Sequence, residues 1–210
     1  MLEFCAGGSL KAALTAVRTF KRDAASDAPR HMFETNDLTT CAYQVALAMS
    51  FLEHHNLLHR DPAARNVLLT GQQQQGQLEC KLADFGLSRL VAPGSDYYRR
   101  TVKSAPIPVR WMAPESLEDG VSTINSDKWS FGVLLWEMYS LGLRPYIGVE
   151  NHEMAKHLRK GHRLDQPSAC PDEVYAGVMQ QCWAANPAAR PAFDIIGQRL
   201  HGLIATTTNA

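Results

Sequence analysis

The sequence predicts a mostly helical fold with a few short strands near its start, and three observations carry that prediction. Leu38, Ala42, Val45, Met49 and Leu52 recur at spacings of four and three, which places them on one buried stripe of a helix. The segment 127–141 is apolar on nearly every face, with Trp129, Phe131, Val133, Leu134, Leu135, Trp136 and Met138, and predicts a helix buried at the domain centre. Two short apolar runs, 66–70 and 80–83, flank glutamines set between Gly71 and Gly76, the pattern of a hairpin.

The elements follow in chain order. Residues 1–5 read as the end of a strand, broken by Ala6-Gly7-Gly8, after which Ser9 is placed to cap a helix running to about Phe20. The charged stretch 21–35, with Pro29, reads as a surface loop, and the striped helix covers about 37–55. Residues 91–108 are rich in Pro, Gly, Ser and Arg and lack any helical or strand period. So long an irregular stretch in a compact domain is usually functional or disordered. Beyond the central helix, further helices are expected at about 151–160, 171–183 and 192–204. Pro171, followed by Asp172 and Glu173, makes a favourable helix start. Residues 206–210 are expected to fray.

Length and composition fit one soluble globular domain of 210 residues. The formal net charge is zero, so nothing global favours nucleic acid or an anionic membrane as a partner. Cys5, Cys41, Cys80, Cys170 and Cys182 are odd in number and widely spaced, without a C-x-x-C pair. That pattern predicts buried, reduced thiols in a cytosolic setting rather than a disulfide framework or a zinc site. No apolar run reaches membrane-spanning length, and the start lacks the features of a signal peptide.

Three motifs occur in order: His59-Arg60-Asp61, Asp84-Phe85-Gly86 and Ala113-Pro114-Glu115, with Asn66 five residues after Asp61. A lone Asp or Asn is ordinarily a turn or helix cap, but here the residues form one signature set. Phosphoryl transfer needs a carboxylate to accept the proton of the attacking hydroxyl, and Asp61 is the candidate base. It also needs hard oxygen ligands for Mg²⁺ (or Mn²⁺), and Asn66 and Asp84 are the candidates. His54, His55 and His59 make no metal-ligand pattern, and His59 reads as a structural member of its loop.

The stretch from His59 to Leu69 resembles the catalytic loop of protein tyrosine kinases, which carry Ala-Ala-Arg before the Asn. Serine/threonine kinases usually place a Lys where this chain has Ala63. Pro108 to Glu115 is similar to the substrate platform of the same family. The resemblance implies an α+β protein-kinase-like fold, with residues 1–205 forming the hinge and C-terminal large lobe. It implies transfer of the ATP γ-phosphoryl group to tyrosines of protein substrates, with Arg65 near the substrate hydroxyl and Pro108 and Arg110 in the platform. Glu3 and Cys5 fall at the hinge that meets adenine, with Leu68 and Asp84 completing the nucleotide site. Tyr97 and Tyr98 become candidate activation-loop phosphorylation sites, ordered against Arg60 and neighbouring arginines, and candidate docking sites for phosphotyrosine-binding adaptors. Asp127 is implied to hold the catalytic-loop backbone, and Arg190 to pair with Glu115.

Within tyrosine kinases, Asp96-Tyr97-Tyr98-Arg99-Arg100 and Glu115 to Gly120 resemble receptors of the insulin-receptor, sevenless and anaplastic-lymphoma-kinase groups. That implies a cytoplasmic segment without direct membrane contact, in a parent chain that is a plasma-membrane receptor.

Two departures stand out. The Gly-rich phosphate loop and the strand lysine of the family are missing, so the chain reads as a fragment or truncated gene model, with weak ATP affinity and exposed apolar surface around Leu68 and Phe85. Pro62 stands where the family usually has an apolar non-proline residue, and it biases Asp61 away from helical geometry. A rival reading is a non-enzymatic, pseudokinase-like docking module; intact Asp61, Asn66 and Asp84 argue against it, while Pro62 and the missing elements argue for it.

Overall fold

The computed structural model describes residues 5–22, 33, 35–70, 78–91, 95, 97–99 and 107–207. The expected strand at 1–5, most of the expected loop at 21–35, and the glutamine segment therefore lie wholly or largely outside the described residues. Helix α1 covers Leu10–Arg22, and the Ser9 hydroxyl accepts from the Ala12 N–H at 3.3 Å as expected of a cap. Helix α2 spans Thr35–His54, and its whole predicted stripe is buried.

Helix α4, Ile124–Tyr139, is the central helix. It starts at a reciprocal capping box, in which Thr123 accepts from the Ser126 N–H and Ser126 accepts from the Thr123 N–H. Trp129, Phe131, Val133, Leu134, Leu135 and Met138 are fully buried. Each such side chain contributes roughly 1.5–3 kcal/mol by leaving water. Lys128 of α4 pairs with Glu53 of α2 at 3.0 Å, and Glu53 also accepts from the Phe193 N–H at 2.8 Å. Phe193 begins helix α8, Phe193–Thr207, so one carboxylate links three helices.

Four short helices lie between α2 and α8 among the described residues. Helix α3 is Pro114–Asp119 and α5 is Met154–Arg159. Helices α6, Asp172–Val174, and α7, Gln180–Cys182, are joined by a π-helical stretch, Tyr175–Met179, which together fill the predicted 171–183 helix. The expected fraying of 206–210 is corrected in part, because Thr206 and Thr207 continue α8.

Strands form three two-stranded antiparallel ribbons: β1 (Leu57–Leu58) with β4 (Arg89–Leu90), β2 (Val67–Leu69) with β3 (Cys80–Leu82), and β5 (Tyr98–Arg99) with β6 (Val121–Ser122). The predicted hairpin strands are borne out, with Val67 opposite Leu82 and Leu69 opposite Cys80. The expectation that strands lie near the start is corrected: they extend to Ser122, and β5 sits inside the stretch read as lacking strand period. A two-residue strand leaves no periodicity to read, since its pairing is made by a distant partner.

A second correction concerns the thiols. Cys41 and Cys80 are joined as a disulfide, with Cα atoms 5.6 Å apart. The bond follows from tertiary packing of α2 against β3, where the Gln44 side chain also accepts from the Cys80 N–H and donates to the Leu78 carbonyl. Nothing in a separation of 39 residues announces it. Cys5, Cys170 and Cys182 are free, and burial pushes the Cys170 and Cys182 thiols up to about 12.

Gly132 marks the tightest approach in the core. A Cβ there would stand 2.6 Å from Trp183 Nε1 and 2.9 Å from Cys182 Cβ, so α4 and α7 meet only because this side chain is absent. Gly132→Ala is expected to lower unfolding free energy by about 1–3 kcal/mol despite its better helix propensity, read as a shift in the denaturant midpoint.

Candidate active site

Two ribbons frame two loops. The 59–66 loop leaves β1 and enters β2, and the 83–88 loop leaves β3 and enters β4. Because β1 pairs with β4 and β2 with β3, both ends of one loop are fixed beside both ends of the other.

Inside that frame, Asp127 anchors the first loop. Its carboxylate is 1% exposed and accepts from the His59 N–H at 2.7 Å and the Arg60 N–H at 2.9 Å, the role expected of it. Burial drives this carboxyl up to about 7, against the two N–H donors and the Arg60 charge, which favour the ionised form. Arg60 adopts a left-handed φ of +72°, strained for a non-glycine residue by about 1–3 kcal/mol, and the paired N–H contacts hold it there.

That backbone turn aims His59 inward. Its Nε2 lies 3.1 Å from the Ala83 carbonyl, and its Nδ1 accepts from the Asp61 N–H at 3.4 Å. Burial holds the imidazole below its ordinary pKa, so the neutral ring bridges the two loops. The Ala83 N–H in turn donates to the Asn66 carbonyl at 2.8 Å.

Asp61 is nearly buried and doubly held. The Asn66 amide donates to its carboxylate and to its backbone carbonyl, both at 2.8 Å, and Arg65 forms an ion pair with the other carboxylate oxygen. Arg65 also stacks 4.5 Å from the centroid of Trp111. Trp111 lies in the 108–115 stretch that resembles the platform, but nothing in the sequence singles it out until Arg65 is seen above it. Pro62 is buried in non-helical chain, and the first helical residue is Ala64, so the missing N–H breaks no helix. Asp84 is exposed, has a left-handed φ of +61°, and accepts from the Gly86 N–H at 3.2 Å.

The remaining candidates fall into place unevenly. Glu3 lies outside the described residues. Cys5 is half-buried, and Gly7 and Gly8 tie this segment to Leu69 of β2 through backbone hydrogen bonds at 2.9 Å. Leu68 is half-buried, and Phe85 is exposed as expected. Tyr97 is exposed, while Tyr98 lies over Arg60 at 4.6 Å and Arg89 at 5.6 Å. Arg60 additionally donates to the Leu87 carbonyl and the Ser122 hydroxyl. Pro108 opens the turn Val109–Trp111. Arg110, expected in the platform, is instead buried: its guanidinium donates to the carbonyls of Pro145, Tyr146 and Val149 and secures the loop after α4. Arg190 grips Glu115 through two hydrogen bonds at 2.6 and 3.0 Å, as expected.

The raised Asp127 pKa has a definite sign for stability. Folding makes this group bind its proton more tightly, so its contribution is largest at low pH and falls as pH rises from ~4 to about 7. His59 acts oppositely, losing stability as pH falls below its ordinary value. The difference in unfolding free energy between wild type and Asp127→Asn is therefore expected to change across that window by up to ~1.4 kcal/mol per pH unit, and to be flat above it, in urea titrations at successive pH values.

Comparison with known proteins agrees with this geometry. A family model for protein tyrosine and serine/threonine kinases matches residues 1–200. The chain is 45% identical over 181 residues to fibroblast growth factor receptor 1 of Xenopus laevis, and 46% identical over 180 residues to that of Pleurodeles waltl. Each alignment covers 86% of this chain and 21% of the relative, so the chain spans about a fifth of the length of the curated relatives it matches. With a family match running over residues 1–200, through both framed loops and the central helix, the chain belongs to the protein tyrosine and serine/threonine kinase family.

Proposed function

We propose that this chain is the large lobe of a receptor-type protein tyrosine kinase, transferring the γ-phosphoryl group of ATP to tyrosine hydroxyls of protein substrates. The observation that carries the reading is the Asp61–Arg65–Trp111 assembly. Arg65 bonds the candidate base and stacks on the platform tryptophan, while Ala63 leaves the usual serine/threonine-kinase lysine position without a charge.

Asp61 accepts the proton of the attacking tyrosine, and Asn66 and Arg65 hold its carboxylate for that task. The donor set offered by Asn66 and Asp84, an amide and an exposed carboxylate, suits the hard oxygen coordination of Mg²⁺. Bound there with ATP, the ion would neutralise charge on the phosphates. Cys5, Leu68 and Asp84 form the floor of the nucleotide site in this reading, with Glu3 as a further hinge contact. Tyr97 and Tyr98 are the regulatory sites. A phosphate on Tyr98 exchanges ring stacking for charge-assisted hydrogen bonds to Arg60 and Arg89.

In the full-length protein, Asp61→Asn is expected to lower phosphorylation of a tyrosine peptide by at least ~100-fold while ATP binding persists. Equal transfer to serine and tyrosine peptides would reject the tyrosine assignment. Tyr97→Phe/Tyr98→Phe is expected to abolish activation on preincubation with ATP, followed as turnover against time; an unchanged activation curve removes the regulatory role.

A further inference from the structure

Glu137 lies on α4 and is 1% exposed. A carboxylate persists in such a place only where its charge is matched and its lone pairs are filled. Three segments far apart in the chain do this. Lys11 of α1 donates to Oε1 at 3.0 Å, and Oε2 accepts from the Ala64 N–H at 3.1 Å and from the Trp111 indole N–H at 2.7 Å.

The two partners of Oε2 are significant. Ala64 opens the turn that separates Asp61 from Asn66. Trp111 closes the turn begun at Pro108, and its ring carries the Arg65 guanidinium that pairs with Asp61. One oxygen thus references the catalytic loop and the platform to the same point on the central helix.

We propose that Glu137 is a positioning residue for phosphoryl transfer: through Trp111 and the Ala64 N–H it sets where Arg65 and Asp61 stand relative to the bound substrate. The proposal rests on the kinase reading above. Released from Oε2, the indole is free to rotate and takes Arg65 with it, and a misplacement of about 1 Å costs on the order of 100-fold in rate. Glutamine is a poor substitute, because its amide has one acceptor oxygen and turns an N–H₂ toward other donors.

The test is peptide phosphorylation by the full-length protein, with exchange of the Trp111 indole and Ala64 amide protons followed by NMR. Glu137→Gln is expected to lower kcat by about 10- to 100-fold with ATP KM unchanged, and to speed both exchanges. In an Arg65→Ala background the same substitution is expected to lower kcat several-fold less, since the path through Trp111 ends on Arg65 and only the Ala64 N–H path remains. Equal losses in the two backgrounds, or a loss that only tracks the folded fraction, would overturn the proposal. If Glu137→Gln does not fold, Trp111→Phe leaves an aromatic ring for Arg65 and removes the indole N–H donor; it is expected to lower kcat similarly, and unchanged turnover rejects the idea. A wild type that phosphorylates nothing sinks the kinase reading and this proposal with it. An active wild type whose variants behave additively sinks this proposal alone.

Discussion

The buried Asp127 carboxylate is the contact from which the rest of the site is built. By accepting two consecutive N–H groups, from His59 and Arg60, it fixes a backbone turn that no helix or strand would make. The left-handed Arg60 turns its side chain toward Leu87, Ser122 and Tyr98, while His59 points at Ala83. Without that anchor the strained Arg60 would relax, and both loops would lose their common reference. A charge this deep is expensive, and its carboxyl is pushed up to about 7. The cost is spent on geometry rather than on stability.

The central helix supplies more than apolar bulk. Asp127 and Glu137 are ten residues apart on it, a span of ~15 Å at helical rise; Asp127 accepts two backbone N–H groups and Glu137 one from the same 59–66 loop. A largely apolar helix with two buried carboxylates thus positions a loop that has almost no regular structure of its own. This explains why the loop can carry Pro62 with only the short turn Ala64–Asn66 as regular structure.

Much of this was legible in the sequence. The α2 stripe is a long periodic signal, and the ordered motifs with Asn66 at its offset identified the loops and the family. The illegible parts share a physical cause: they depend on contacts made only after the chain has folded. Cys41 and Cys80 read as separate thiols until α2 lies on β3. Arg110 enters the sequence reading only as part of the platform stretch, and only the carbonyls of Pro145, Tyr146 and Val149 reveal why it is buried. Strands β4, β5 and β6 are too short to carry a period, and Glu137 resembles any helix glutamate until Lys11, Ala64 and Trp111 surround it.

The paired ribbons carry a consequence for how such a chain tolerates change in length. The 59–66 loop is pinned at both ends, with Leu58 opposite Arg89 and Val67 opposite Leu82, and the N–H groups of His59, Arg60 and Ala64 are held in between, so adding or deleting one residue would pull Asp61 and Asn66 away from their partners. The 83–88 loop is pinned in the same way between β3 and β4. Both loops are therefore free to vary in chemistry but locked in residue count, and descendants of this lobe can diverge there by substitution far more readily than by insertion.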